Sequence, residues 1–182
     1  MKSQSILYIF LTLFLFSCLT GCFEEAADLS EPKSYGANQI TFQYPKNWQI
    51  TDDSFSPAVH NLFIQTNGEA IVIVQSYLSD IAEDLKTFSK NFSESAKSET
   101  GLVKISVSKL EAIPESSGFE SMKEEWELTI LGESVPFQRI YGTKKIADRQ
   151  VFIIFQVAEE DYLKAVPGFR LIRDTLKESE GS

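Results

Sequence analysis

Polar and apolar positions along this 182-residue chain change period several times, and each change marks an element. The first apolar run, Ile6 to Phe16, is 11 residues long and carries no charge. A helix that crosses a bilayer needs about 20 apolar residues, whereas the core of a secretory signal needs about 7–15. Lys2 supplies the positive start, and Phe23-Glu24-Glu25-Ala26-Ala27-Asp28 follows without a Lys or Arg to act as a stop signal. The pattern therefore predicts an export signal over residues 1–21 rather than a membrane span.

Residues 22–38 show no period, carry Pro32 and Gly36, and are rich in acidic side chains. Such composition predicts an extended acidic tether. Its residues after Cys22 would reach about 50 Å if fully drawn out.

Beyond it, residues 39–179 read as one domain. Ile40, Phe42 and Tyr44 alternate with polar residues as in a half-buried strand. Leu62–Thr66 and Ala70–Tyr77 flank Asn67-Gly68, a hairpin signal. The period then shifts: Ile81, Leu85, Phe88, Phe92 and Ala96 share one helical face. Asp80 and Glu83 have the spacing of a capping box, and Gly101 lies past the expected helix end. Alternation returns at Val103, Ile105 and Val107, and continues through Glu124–Leu131, Val135–Tyr141 and Gln150–Ala158. Val151–Phe155 is apolar on both faces, which fits a central strand covered on both sides. Pro167 is placed to open a closing helix whose buried stripe is Phe169, Ile172 and Leu176.

The four residues that end on the first residue of the tether add an address. Leu19-Thr20-Gly21-Cys22 directly follows the apolar run and resembles the lipobox of bacterial lipoproteins. The resemblance implies cleavage before Cys22, a diacylglyceryl group on its sulfur and an N-acyl chain on the new amino terminus. Two or more acyl chains suffice for stable anchoring. Phe23, not Asp, follows Cys22, which in a diderm host points to the outer membrane. Removing Lys2 with the signal leaves 16 Lys+Arg against 26 Asp+Glu, a net of −10. A surface of that sign is repelled by phosphate backbones, so nucleic acid is a poor partner.

The stretch Ile40–Thr51, "ITFQYPKNWQIT", together with "AIVIV" at 70–74, resembles the PsbP-like superfamily. Phe42, Tyr44, Pro45 and Trp48 carry that likeness. The order of elements resembles its DcrB-like branch of envelope lipoproteins. The resemblance implies an α+β fold: an α/β/α sandwich with a mainly antiparallel sheet, a long helix on one face and a C-terminal helix on the other. It also implies a non-enzymatic module facing the periplasm or exterior, held by its lipid and able to meet an envelope protein or complex.

Candidate chemistry is sparse. His60 is the lone histidine, and with Trp48 and Phe55 it suggests one small cleft, suited to a small-molecule carrier or a hydrolase. Ser116-Ser117-Gly118 lacks the glycine of a nucleophile elbow. One His and no Cys beyond Cys22 in the mature chain cannot build a zinc shell. Glu125 and Glu127 share a strand face about 7 Å apart, a glycosidase-like spacing that solvated surface glutamates also show. No catalytic residue, metal ligand or cofactor is expected beyond the covalent lipid.

Overall fold

In the computed structural model of the chain, the described residues are 25–96, 103–116 and 118–179. Their strands are β1 (Lys33–Ala37), β2 (Ile40–Tyr44), β3 (Gln49–Phe55), β4 (Val59–Gln65) and β5 (Ile71–Leu78), then β6 (Val103–Ser116), β7 (Phe119–Ile130), β8 (Glu133–Ile146), β9 (Arg149–Ala158) and β10 (Lys177–Glu178). Helix α1 spans Leu85–Ala96 and α2 spans Tyr162–Thr175. Seven strands pair antiparallel in the order β3-β4-β5-β9-β8-β7-β6, and β1-β2-β10 form a separate small sheet. The expected α/β/α sandwich is the observed fold.

The central strand is β9, for the reason its sequence suggested. Val151, Ile153, Phe155 and Val157 join Ala165, Phe169 and Ile172 of α2 in one core. Phe152 and Ile154 join Leu85 and Phe88 of α1 in the other. Each such side chain contributes about 1.5–3 kcal/mol by leaving water. Helix α2 also touches β2, so it lies between the large sheet and the small one.

Several expectations change. The tether is shorter than residues 22–38, because Lys33–Ala37 pairs with Tyr44–Ile40. Asn38 and Gln39, at φ 47° and 69°, make the tight left-handed turn that joins the two strands. Only Tyr35 of β1 is buried, so the strand has no alternation to announce it. The entry strand Ile40–Tyr44 belongs to the small sheet, not the large one.

Helix α1 begins at Leu85, and Ile81 is exposed outside it. Its cap is Asp84 rather than Asp80. The Asp84 carboxylate accepts the Thr87 N–H at 2.9 Å and the Thr87 hydroxyl at 2.8 Å. Those two bonds hold its pKa below the usual carboxylate range. Gly101 lies outside the described residues.

Pro167 sits inside α2 instead of opening it. It removes one helical bond, to the carbonyl of Leu163, on the side of α2 whose side chains face solvent. The Phe169, Ile172 and Leu176 stripe is buried as expected.

Candidate functional site

The β3–β4 hairpin builds the one site that joins residues expected to act together. Along β4, His60, Leu62 and Ile64 point inward. On β3, the register shifts between Ile50 and Asp52 through a bulge. Without the extra residue, Asp52 and Ser54 would oppose Leu62 and His60. With it, Asp53 opposes Leu62 and Phe55 opposes His60. The bulge thus re-aims Asp53 and Phe55 at the histidine.

His60 is 1% exposed. Its Nε2 lies 2.8 Å from Asp53 Oδ1, and the Tyr35 hydroxyl donates to Asp53 Oδ2 at 3.0 Å. Tyr35 OH is also 3.2 Å from Nε2. A carboxylate accepting from both groups places a proton on Nε2. Among the described residues Nδ1 has no hydrogen-bond partner. Burial, and then the bond to Asp53, push the Tyr35 phenol well above its ordinary pKa. Phe55 lies flat on the imidazole, ring centroids 4.1 Å apart and planes 14° from parallel. The order Tyr–Asp–His resembles an acid–base relay in its groups, but Phe55 must move before anything reaches the ring.

Trp48 is not part of this arrangement. Its ring packs on Phe169 at 5.6 Å. It also presses on the α2 backbone: a Cβ built on Gly168 would lie 2.4 Å from the Trp48 ring. The cleft expected from Trp48, Phe55 and His60 therefore reduces to Phe55 and His60. Trp48 is a packing anchor that only a glycine in α2 admits.

A second feature is a groove of about 140 Å³ beside α2. Phe119, Ile140, Phe155 and Phe169 line it, with Ser121, Tyr162, Arg170 and Arg173 among its polar members. Ligand pockets commonly hold about 300–1,000 Å³, so this groove suits one side chain or a group of a few carbons. Arg173 already pairs with Asp174 at 2.8 Å.

Sequence reasoning missed a third cluster. Glu124, 0% exposed, accepts from Arg139 Nη1 at 2.7 Å, from Tyr141 OH at 2.5 Å and from the Ser93 hydroxyl of α1. Arg139 also donates to Gln156 Oε1 at 3.0 Å and 2.6 Å. Its guanidinium lies 5.2 Å from the Phe92 ring and 5.0 Å from the Trp126 ring. Burial is the largest influence that raises the Tyr141 pKa. Every charge here is answered, which is how an ion pair survives away from water. Glu125 and Glu127 point the other way and are exposed, with Glu125 bonded to Lys123 at 2.9 Å. Among the described residues, no group of three His, Cys, Asp or Glu side chains is placed to hold a metal ion. Leu19, Thr20, Gly21 and Cys22 lie outside the described residues.

No protein-family model and no curated protein sequence matches the chain. Solved structures do. The solution structure of cyanobacterial PsbP (CyanoP) from Synechocystis sp. PCC 6803 matches over 83% of this chain and 94% of its own, at 13% identity and a TM-score of 0.56. The crystal structure of LpqN, involved in cell envelope biogenesis of Mycobacterium tuberculosis, covers 90% of this chain and 95% of its own, at 10% identity and a TM-score of 0.44. The fold is PsbP-like. At such identity the likeness to CyanoP is one of backbone, and no site residue is transferred by it.

Proposed function

We propose that the protein is an extracytoplasmic lipoprotein, anchored through Cys22, whose PsbP/DcrB-like domain is a non-enzymatic binding or assembly module for an envelope protein. The observation that carries this reading is Leu19-Thr20-Gly21-Cys22 placed directly after an uncharged run of 11 residues. Cleavage before Cys22 leaves a diacylglyceryl thioether and an N-acyl group at the new amino terminus. The lipid is the only modification required, and no other cofactor is invoked.

The disposition of the domain's reactive groups supports a binding role. Glu124 and Arg139 are sealed beneath α1, and His60 is roofed by Phe55. The open feature is the groove beside Arg170, sized for a side chain rather than for a substrate held on all sides. Metabolic labelling with palmitate tests the anchor. Label is expected in the wild type and lost in Cys22→Ala, together with membrane fractionation. Unchanged labelling and fractionation in the variant would sink the reading.

One observation favours a second reading, a small-molecule carrier or hydrolase: Nε2 of the buried His60 is held by Asp53 and Tyr35, while among the described residues its Nδ1 has no partner. On that reading a ligand displaces Phe55 and meets Nδ1. A His60→Ala variant with wild-type behaviour in ligand screens and in every phenotype removes it.

A further inference from the structure

The path of the chain just after Cys22 decides which side of the domain meets the bilayer. Residues 25–28 do not swing free. The Asn67 side-chain amide donates to Glu25 at 2.6 Å, and the Asn47 side-chain amide donates to the Ala26 carbonyl at 3.0 Å. Ala27 N–H donates to the Lys164 carbonyl at 3.1 Å, and Lys46 N–H donates to the Asp28 carbonyl at 2.9 Å. Four bonds to three separate elements fix this segment on the domain. Cys22 is three residues upstream of Glu25, so it lies within about 11 Å of a fixed point, at no more than 3.6 Å per residue. The reach of about 50 Å expected of a free tether is not available.

All the docking points lie at one end of the large sheet. Gln49 pairs with Gln65, Gln65 with Ile71, and Ile71 with Gln156, so the start of β3, the β4–β5 loop and the end of β9 are level. Phe137 pairs with Ala158, which puts the β7–β8 turn beyond that same end. The turns after β3, β6 and β8 are at the opposite end.

Among the described residues, the two most exposed large apolar side chains lie at the first end, while Phe55 and Ile81, at 53% and 54%, lie at the opposite one. Leu163, on the first turn of α2 next to Lys164, is 80% exposed, and Leu131, at the β7–β8 turn, is 76% exposed. Leu29 and Val135 are exposed there as well. Leu131 holds φ 53° ahead of Gly132 at φ 90°, a left-handed pair in which Asn or Gly would sit without steric cost. A large apolar side chain kept at such a position is a sign of use rather than of folding.

Resting on the anchored reading, we infer that the protein lies on the bilayer with this end down, Leu163 and Leu131 reaching the lipid and Phe55, His60 and Ile81 facing away. The occupant of the apolar end is the lipid surface itself, because the acyl chains leave the protein within about 11 Å of it. Charge does not hold the contact: Glu69, Glu133, Glu159 and Glu160 share this end and repel anionic headgroups. Raising the salt concentration therefore leaves the protein bound.

The acylated full chain, reconstituted in phosphatidylethanolamine–phosphatidylglycerol vesicles, tests the orientation. Its mature sequence has no cysteine besides Cys22, so Leu163→Cys and Ile81→Cys each give one free thiol for a nitroxide. The label at position 163 is expected to be shielded from a water-soluble nickel chelate several-fold more than the label at 81. Equal shielding, or greater shielding at 81, in protein that floats with the vesicles overturns the orientation and leaves the anchor standing. Protein that fails to float, with Cys22 itself open to labelling, overturns both.

Discussion

Two polar clusters, one beneath α1 and one where the edge of the large sheet meets Tyr35 of the small sheet, have opposite characters. Beneath α1, Glu124 and Arg139 face each other across directly paired positions of β7 and β8, with Tyr141, Ser93 and Gln156 taking up the remaining bonds. At the sheet edge, Asp53, His60 and Tyr35 meet under one aromatic ring, and one imidazole nitrogen is left over. The first cluster is closed on every side and belongs to the fold. The second lies where Phe55, stacked on the imidazole, is itself 53% exposed. Burial of charge therefore does not mark function by itself. An unanswered atom beneath a movable cover is the more informative sign.

Breaking the closed pair should give the largest effect. Arg139→Met alone is expected to cost about 3–5 kcal/mol in urea unfolding, because Glu124 is then a buried charge without its counterpart. Glu124→Leu with Arg139→Met should cost far less than the two single changes added together. Strict additivity would mean that the pair is not coupled as described.

At the edge cluster the losses should be smaller. Tyr35→Phe removes one donor to Asp53 and is expected to cost about 0.5–1.5 kcal/mol. A loss as large as that of Arg139→Met would erase the distinction between the clusters. Phe55→Ala should change stability less still, yet speed carbethoxylation of His60 several-fold. Equal rates in wild type and variant would show that Phe55 does not cover the ring.

Acid titration gives the smallest effect. Asp28 and Asp84 are held below the ordinary carboxylate value of 3.8, chiefly by bonds from Ser30 and Thr87 respectively. A lowered folded-state pKa contributes stability above the unfolded value, and that stability is lost as pH falls through the folded one. Asp84→Asn should therefore flatten the drop in urea midpoint below about pH 4. A variant with the wild-type acid profile would show that the Thr87 cap carries no such linkage.

How far each feature was legible depended on whether its signal was local. β9 and the α2 stripe are readable because Val151–Phe155 is an unbroken apolar run, as a strand covered on both faces needs, and Phe169, Ile172 and Leu176 recur at helical spacing. β1 is not, since a small-sheet edge strand buries only Tyr35 and gains its place by pairing with β2. Glu124 shares its parity with Trp126 and Leu128, a readable sign that it points inward, but Glu125 and Glu127 disguised it. Its partner Arg139 depends on register between strands. The inward phase of His60 was likewise present in the alternation with Leu62 and Ile64. Its contact with Asp53 depends on the bulge after Ile50, which no local pattern announces.

The account stands on the chemistry at Cys22. Mass spectrometry of the amino-terminal peptide from membrane-extracted protein tests it most directly. The expected peptide begins at Cys22 and carries a diacylglyceryl thioether with an N-acyl chain. A peptide that runs through Gly21 into an unmodified Cys22 would contradict it.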